Sequence, residues 1–288
     1  MSDARLQAAC LAGTATADGA ALPLALVHGH RMVLHDLQKD RFISADLASK
    51  GVFEPFETEL VKNTVRPGDV VLDVGANIGY YTLLFARLAG EQGKVFAFEP
   101  DTANFRLLQE NVELNGYRNV VLCRKAVSNK TGPAHLFRCD TNQGDHRVYD
   151  SADGRPAVAI ESVALDHYLR DYQGRIDLVK LDIQGSEWAA IRGMKALLRT
   201  HRETRLITEF WPFGLNKAGV EPAEYLRLLQ GFGFHLFEID EQQHRLGDGD
   251  VERLLQTYTL EQENFTNLFC VKGSDVGLPR TTSSVSDQ

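Results

Sequence analysis

Four carboxylates stand where a nucleoside or a cation could use them. Asp73 lies in the strand-like run VVLDV (70–74), Glu99 ends KVFAFE, Asp182 ends 176–182, and Glu209 ends 205–210. Core strands are otherwise apolar, so an acid at a strand end calls for a reason. Asp73 leads into a turn bounded by Gly75 and Gly79, followed by a helix with Tyr81, Leu84, Phe85 and Leu88 at i, i+3, i+4 and i+7. The glycines let a ligand approach the backbone, and the new helix start offers unpaired N–H groups. The second strand begins at Lys94 and closes on Glu99 and Pro100. The two oxygens of Glu99 suit a pair of ribose hydroxyls. Strand, glycine turn, helix and acid-ended strand make the layout of a nucleoside-cofactor site.

The turn also says which nucleoside. A nicotinamide dinucleotide site wants G-x-G-x-x-G, with its pyrophosphate on the helix N-terminus. Here the glycines are four apart, Asn77 stands between them, and Asp73 precedes them. Asp73 repels a pyrophosphate and favours a cation. S-adenosylmethionine carries an ammonium, a sulfonium and a ribose, and no phosphate, so it fits better. Asn77 either meets the amino-acid end of that molecule or adopts a left-handed turn. Asp73 contacts the cofactor, directly or through water, caps its own turn, or does both.

A second group lies about a hundred residues on. Lys180 and Asp182 are two apart on one strand and share a face. A lysine there needs a partner, either an internal acid or a substrate. Asp182 opens the turn DIQGSE, Glu187 starts the next helix, and adjacent strands would bring Asp182 toward Glu209. The chemistry open to this set is removal of an acceptor's proton, with Asp182 first, Glu209 second, and Lys180 and Glu187 beside them. A carboxylate is a weak base toward an alcohol. Either its pKa is raised by neighbours, or the acids hold Mg²⁺ or Ca²⁺. The spacing is no metal signature, and the metal stays undecided.

The runs VVLDVGANIGYYTLLFARLAG, KVFAFEP, LLQENVELNG, RKAVSN, LDHYL and LVKLDIQGSEWAAIRGM resemble those of the FkbM-type S-adenosylmethionine-dependent methyltransferases, over roughly residues 50–275. The resemblance implies a Rossmann-like α/β fold with the seven-stranded class I methyltransferase sheet. It implies that Ala126 and its neighbours border the adenine, and that the segment holding Phe53 and Glu54 folds over the cofactor. It favours O-methylation of a small-molecule hydroxyl, such as a sugar or secondary metabolite. Methylation of nitrogen or of a macromolecule is the alternative. A nicotinamide oxidoreductase and a non-catalytic binding protein of the same fold also stay open.

The elements that must hold these groups alternate strand and helix, which makes a parallel sheet covered on both faces. Helices are expected over 55–64, 102–114, 186–198 and 222–230, and strands over 120–127, 176–182, 205–210, 235–239 and 265–271, the last one reversed. Residues 133–165 break the rhythm as two strands around the polar loop 140–155, a candidate lid or a plain surface hairpin. Residues 1–50 read as a partly β N-terminal extension, 51–273 as the methyltransferase domain, and 274–288 as a disordered tail.

A net charge of −8 and a pI near 5.6 argue against a nucleic-acid partner. The four cysteines form no C-x-x-C pair, and no apolar run is long enough to span a membrane, so a cytoplasmic protein is expected. His28 and His30 give no metal pattern, and the aromatic cluster 210–213 either walls a pocket or packs in the core. The oligomeric state is not legible.

Overall fold

The computed structural model describes residues 22–272. The first 21 residues and the tail 274–288 lie outside that range. A hairpin, β1 (Leu24–Val27) and β2 (His30–Val33), opens the fold, followed by α1 (Ile43–Lys50) and α2 (Pro55–Thr64). Residues 24–49 thus hold the hairpin and most of α1.

The main sheet is built from β3 (Val70–Val74), β4 (Lys94–Phe98) and β5 (Val120–Cys123). After the insertion it adds β9 (Leu178–Leu181), β10 (Arg205–Phe210), β11 (Phe234–Asp240), β12 (Arg245–Asp248) and β13 (Thr266–Lys272). Its order is β12-β11-β13-β10-β9-β3-β4-β5. Neighbours from β10 to β5 are parallel, and β13 runs antiparallel between β10 and β11. The sheet has eight strands where seven were expected, because a hairpin turn after β11 returns as β12 along the edge. The chain leaves β3 toward β4 and β5 and comes back to β9 on the other side of β3. That reversal makes a crevice at the carboxyl ends of β3 and β9.

The helices α3 (Tyr80–Ala89) and α4 (Thr102–Leu114) pack with the hairpin and α2 on one face of the sheet. The other face is covered by α5 (Leu165–Tyr168), α6 (Glu187–Arg192), α7 (Lys195–Thr200), α8 (Pro212–Lys217), α9 (Pro222–Gly231) and α10 (Val251–Thr257). The single helix expected over 186–198 is two. Asp166 from α5 accepts the Ala196 and Leu197 N–H groups at 2.9 Å each, so a distant side chain caps a fresh helix start. Asp101 caps α4 through Ala103 and Asn104 and ion-pairs with Arg138 at 2.7 Å. Glu241 caps α2 from across the fold, taking the N–H groups of Phe56 and Glu57 at 3.0 and 2.7 Å.

The third core strand stops at Cys123, not 127. Ala126–Val127 is a separate β6, which pairs with β8 (Ala157–Val163) and leads to β7 (Gly132–Phe137) in a three-stranded sheet ordered β6-β8-β7. The two framing strands and the polar loop between them are present as expected.

Candidate functional site

Two cavities meet at the crevice. The first lies over the ends of β3 and β4. Gly75, Asn77, Glu99, Pro100 and Asn104 form one side, Ala126, Val127 and Leu136 the other, and Gln143, Gly144 and His146 of the insertion the roof. The second cavity opens beside it. Its walls hold the aromatic residues Phe42, Phe53, Trp211 and Phe265 and the acids Glu54, Asp182, Glu209 and Glu263. Asp182 is the one carboxylate that borders both.

The glycine turn is shaped by the protein itself. Gly75 has φ +87°, and a Cβ there would sit 1.9 Å from the Asp182 carbonyl oxygen. Gly79 has φ +97° and faces Leu108 of α4, and it lines neither cavity. Its bare Cα lets α3 start close against Leu108 of α4. Asn77 takes the left-handed conformation at φ +49° and donates its side-chain amide to the Gln143 carbonyl at 3.2 Å.

Glu99 lies in the first cavity, buried, with one oxygen accepting Asn77 N–H at 3.0 Å and the other Asp101 N–H at 2.8 Å. Burial pushes its carboxyl up to about 8, against the pull of those N–H groups. The Asn104 side chain also bonds to Glu99. Asp73 does not reach either cavity. Thr82 of α3 donates to it at 2.5 Å, and burial raises it to about 6. The Thr82 bond ties β3 to α3 through one Asp73 oxygen, Oδ2.

Lys180 is also withdrawn from both cavities. Its ammonium lies 3.0 Å from Glu57, 3.5 Å from Asp182, and 4.4 Å above the Tyr81 ring. Burial opposes the charge, but Glu57, Asp182 and Glu54 together hold the lysine well above its usual range. The internal ion pair is the arrangement present, with Glu57 in the first turn of α2 as the partner. Glu54 is held by Tyr81 and Asn267 at 2.9 Å each and lines the second cavity; burial and then the Glu57 charge raise it to about 8.

Around Asp182 the turn residue Gln184 does the positioning. Its amide donates to Asp182 at 3.0 Å and, more weakly, toward Glu209 at 3.4 Å. It holds φ +53°, a conformation that costs a non-glycine residue strain, and its carbonyl accepts Tyr149 O–H of the insertion at 2.9 Å. Glu209 lies in the second cavity, raised well above the carboxylate range by burial and then by Asp182, with Oε2 unpartnered. Glu187 lines neither cavity. Its Oε1 accepts Ile183 N–H at 3.0 Å, and burial raises it to about 8.

The loop 140–155 is the roof of the site. The Gln143 carbonyl receives two amides, from Asn77 at 3.2 Å and Asn104 at 3.0 Å. Arg147 pairs with Asp145 at 2.8 Å and stacks on Trp211. His146, Gln184, Tyr149 and Asn104 are site residues that sequence reasoning missed. The long polar loop was the available signal for the insertion's residues, but nothing in its composition names the side chains that turn inward. Phe42 and Ile43 were missed with α1. His28 and His30 bond to Tyr80 and Tyr117 at 3.0 and 2.6 Å. Among the described residues no three His, Cys, Asp or Glu side chains converge as a metal site, and no helix is long and apolar enough to cross a membrane.

Residues 73–236, more than half of the chain, match the methyltransferase FkbM domain. The chain belongs to that family. As a member of the FkbM family it is an S-adenosylmethionine-dependent methyltransferase. It is 25% identical over 244 residues to methyltransferase sdnD of Sordaria araneosa, covering 73% of this chain and 89% of that protein. It is 28% identical over 172 residues to the hexuronic acid methyltransferase AglP of Haloferax volcanii, covering 59% and 65%. With the 2-O-methyltransferase NoeI of Sinorhizobium fredii it shares 27% over 213 residues, covering 67% and 82%. The first cavity suits the family's cofactor: Glu99 for hydroxyl groups, an apolar slot between Phe98 and Leu136 for a flat base, and no cation but Lys125, which Glu161 holds at 2.5 Å.

Proposed function

We propose that this methyltransferase acts on a hydroxyl of a small molecule, and that a sugar or a sugar-bearing metabolite is the acceptor class. The observation that carries the reading is the position of Asp182, on the wall between the two cavities. A group held there touches both a cofactor in the first cavity and an acceptor in the second. The aromatic walls of the second cavity suit the C–H faces of a sugar ring, and its carboxylates accept from hydroxyls. The hexuronic acid and 2-O-methyltransferase relatives support the same class.

Glu99 would hold the cofactor's ribose, the Gly75–Asn77 turn would face its amino-acid side, and Ala126 would border the base. S-adenosylmethionine, when bound, supplies a methyl group on a sulfonium leaving group. The protein's task is alignment and proton removal. Asp182, oriented by Gln184 and Lys180, takes the acceptor's hydroxyl proton. That proton becomes acidic as the new O–C bond forms, so it passes to the carboxylate late in the displacement. The free Oε2 of Glu209 binds the acceptor from the opposite wall. A Mg²⁺ or Ca²⁺ held by these acids is the competing route to an acidified hydroxyl. Nothing in the cavity favours nitrogen or a macromolecule over a hydroxyl.

The test is incubation with methyl-labelled S-adenosylmethionine and a panel of monosaccharides, uronic acids, glycosides and hydroxylated metabolites, with and without a chelator. Label is expected on a sugar oxygen, unaffected by chelator. Label on an amine, or none without Mg²⁺, would overturn the acceptor or the metal-free assignment respectively.

A further inference from the structure

We propose that His146, carried over the cofactor cleft by the insertion, donates its Nε2–H to a ring nitrogen of the cofactor's adenine and so selects the base. The inference rests on the assignment of the first cavity to the cofactor.

The tautomer follows from one hydrogen bond. Cys139 N–H donates to His146 Nδ1 at 3.1 Å, so Nδ1 carries the lone pair. Burial lowers the histidine below its ordinary value and keeps it neutral. The single ring proton therefore sits on Nε2. That atom is buried and has no hydrogen-bond partner among the described residues. A buried donor without an acceptor is costly, and a ligand acceptor removes the cost.

The surroundings say what kind of acceptor fits. His146 borders the first cavity, whose mixed lining includes the apolar Phe98, Val127, Leu136 and Val148, suited to a flat heterocycle, beside the amides of Asn104, Gln143 and Gln184. The nearby charges are engaged elsewhere: Asp101 with Arg138, and Asp145 with Arg147 and Arg155. Adenine presents acceptors at N1, N3 and N7 and a donor at its exocyclic amine. A lone N–H matches a ring nitrogen and opposes the amine. Because His146 and Gln143 belong to one loop, closure of that loop over Asn77 and Asn104 sets the donor in place.

The experiment needs no methyl acceptor. Binding of S-adenosylhomocysteine and of its 1-deaza, 3-deaza and 7-deaza analogues is measured by calorimetry on the wild type, His146→Phe and His146→Gln, with thermal melts to establish folding. One analogue is expected to bind the wild type about tenfold more weakly than the parent, the size of one lost neutral hydrogen bond. His146→Phe weakens the parent by a similar factor and abolishes the discrimination against that analogue. His146→Gln, whose amide can occupy the Nε2 position, recovers affinity to within about threefold. Equal binding of all three analogues to the wild type overturns the proposal, and that series decides the matter even where His146→Phe fails to fold. So does discrimination that persists unchanged in His146→Phe. Failure of S-adenosylhomocysteine itself to bind removes the cofactor assignment, a result distinct from either.

Discussion

The Cα of Gly75 and the main-chain carbonyl of Asp182 meet where β3 and β9 end, so closely that a methyl group on residue 75 would lie 1.9 Å from the oxygen. This contact joins the glycine turn of the cofactor cleft to the acid at the acceptor wall. Gly75→Ala is therefore expected to damage both cavities. Its positive φ alone costs about 1–3 kcal/mol for a residue with a side chain, and the clash adds to that. Urea unfolding should show at least that loss, and S-adenosylhomocysteine binding should fall by more than about tenfold. Wild-type stability and affinity in this variant would show that the two turns separate at no cost.

Glu57 and Lys180 form a fully buried ion pair, and removal of the lysine leaves Glu57 close to Glu54 without its cation. Lys180→Met is expected to destabilise the fold by about 3–5 kcal/mol. Adding Glu57→Gln to it should recover most of that loss. Chemical denaturation of the two single variants and the double variant measures the coupling. Additive losses would mean that the pair does not act as a unit.

Three buried carboxyl groups, Glu54, Glu99 and Glu187, rise from an ordinary 4.5 to about 8. Between those two values the folded protein keeps protons that the unfolded chain has released. The stability they contribute is thus complete below about 4.5 and declines as the pH climbs to about 8. The ligand-free protein should melt at a higher temperature near pH 5.5 than near pH 8.5, until general acid effects intervene. Glu99→Gln removes one of the three groups and should flatten the slope; an unchanged slope would show that Glu99 ionises normally.

Asp182 and Glu99 divide the work between transfer and binding. Asp182→Asn should leave S-adenosylhomocysteine affinity within about threefold and lower the methyl-transfer rate by about 10²–10⁴-fold. Glu99→Ala should do the reverse, weakening cofactor binding by more than about tenfold through two lost ribose contacts. Calorimetry and a product assay on both variants separate the roles, and equal loss of binding in both would count against the division.

Local patterns carried far in this chain. The helix over 102–114, the strand over 205–210 and the hairpin around 140–155 could be read because apolar periodicity and turn residues act over a few positions. What failed was set by distant partners. The helix break near 193 depends on Asp166, which lies 30 residues before Ala196, and α1 spans only 8 residues with no side-chain cap at its start. Lys180 showed from its apolar strand that it needed a partner, but no spacing could choose Glu57 over a substrate.

By itself the sequence determined the family, the order of the central parallel strands, and the acids that end them, because those features follow from residue type and short-range spacing. Tertiary structure decided which of them face open space. Asp73, Lys180, Glu187 and Gly79 turn into the protein, while Asp182, Glu209, Glu99 and Glu54 reach the cavities. The physical reason is that a side chain's exposure depends on what the returning chain packs against it, and here an insertion and a helix far away in sequence, 140–155 and α1, supply the remaining walls.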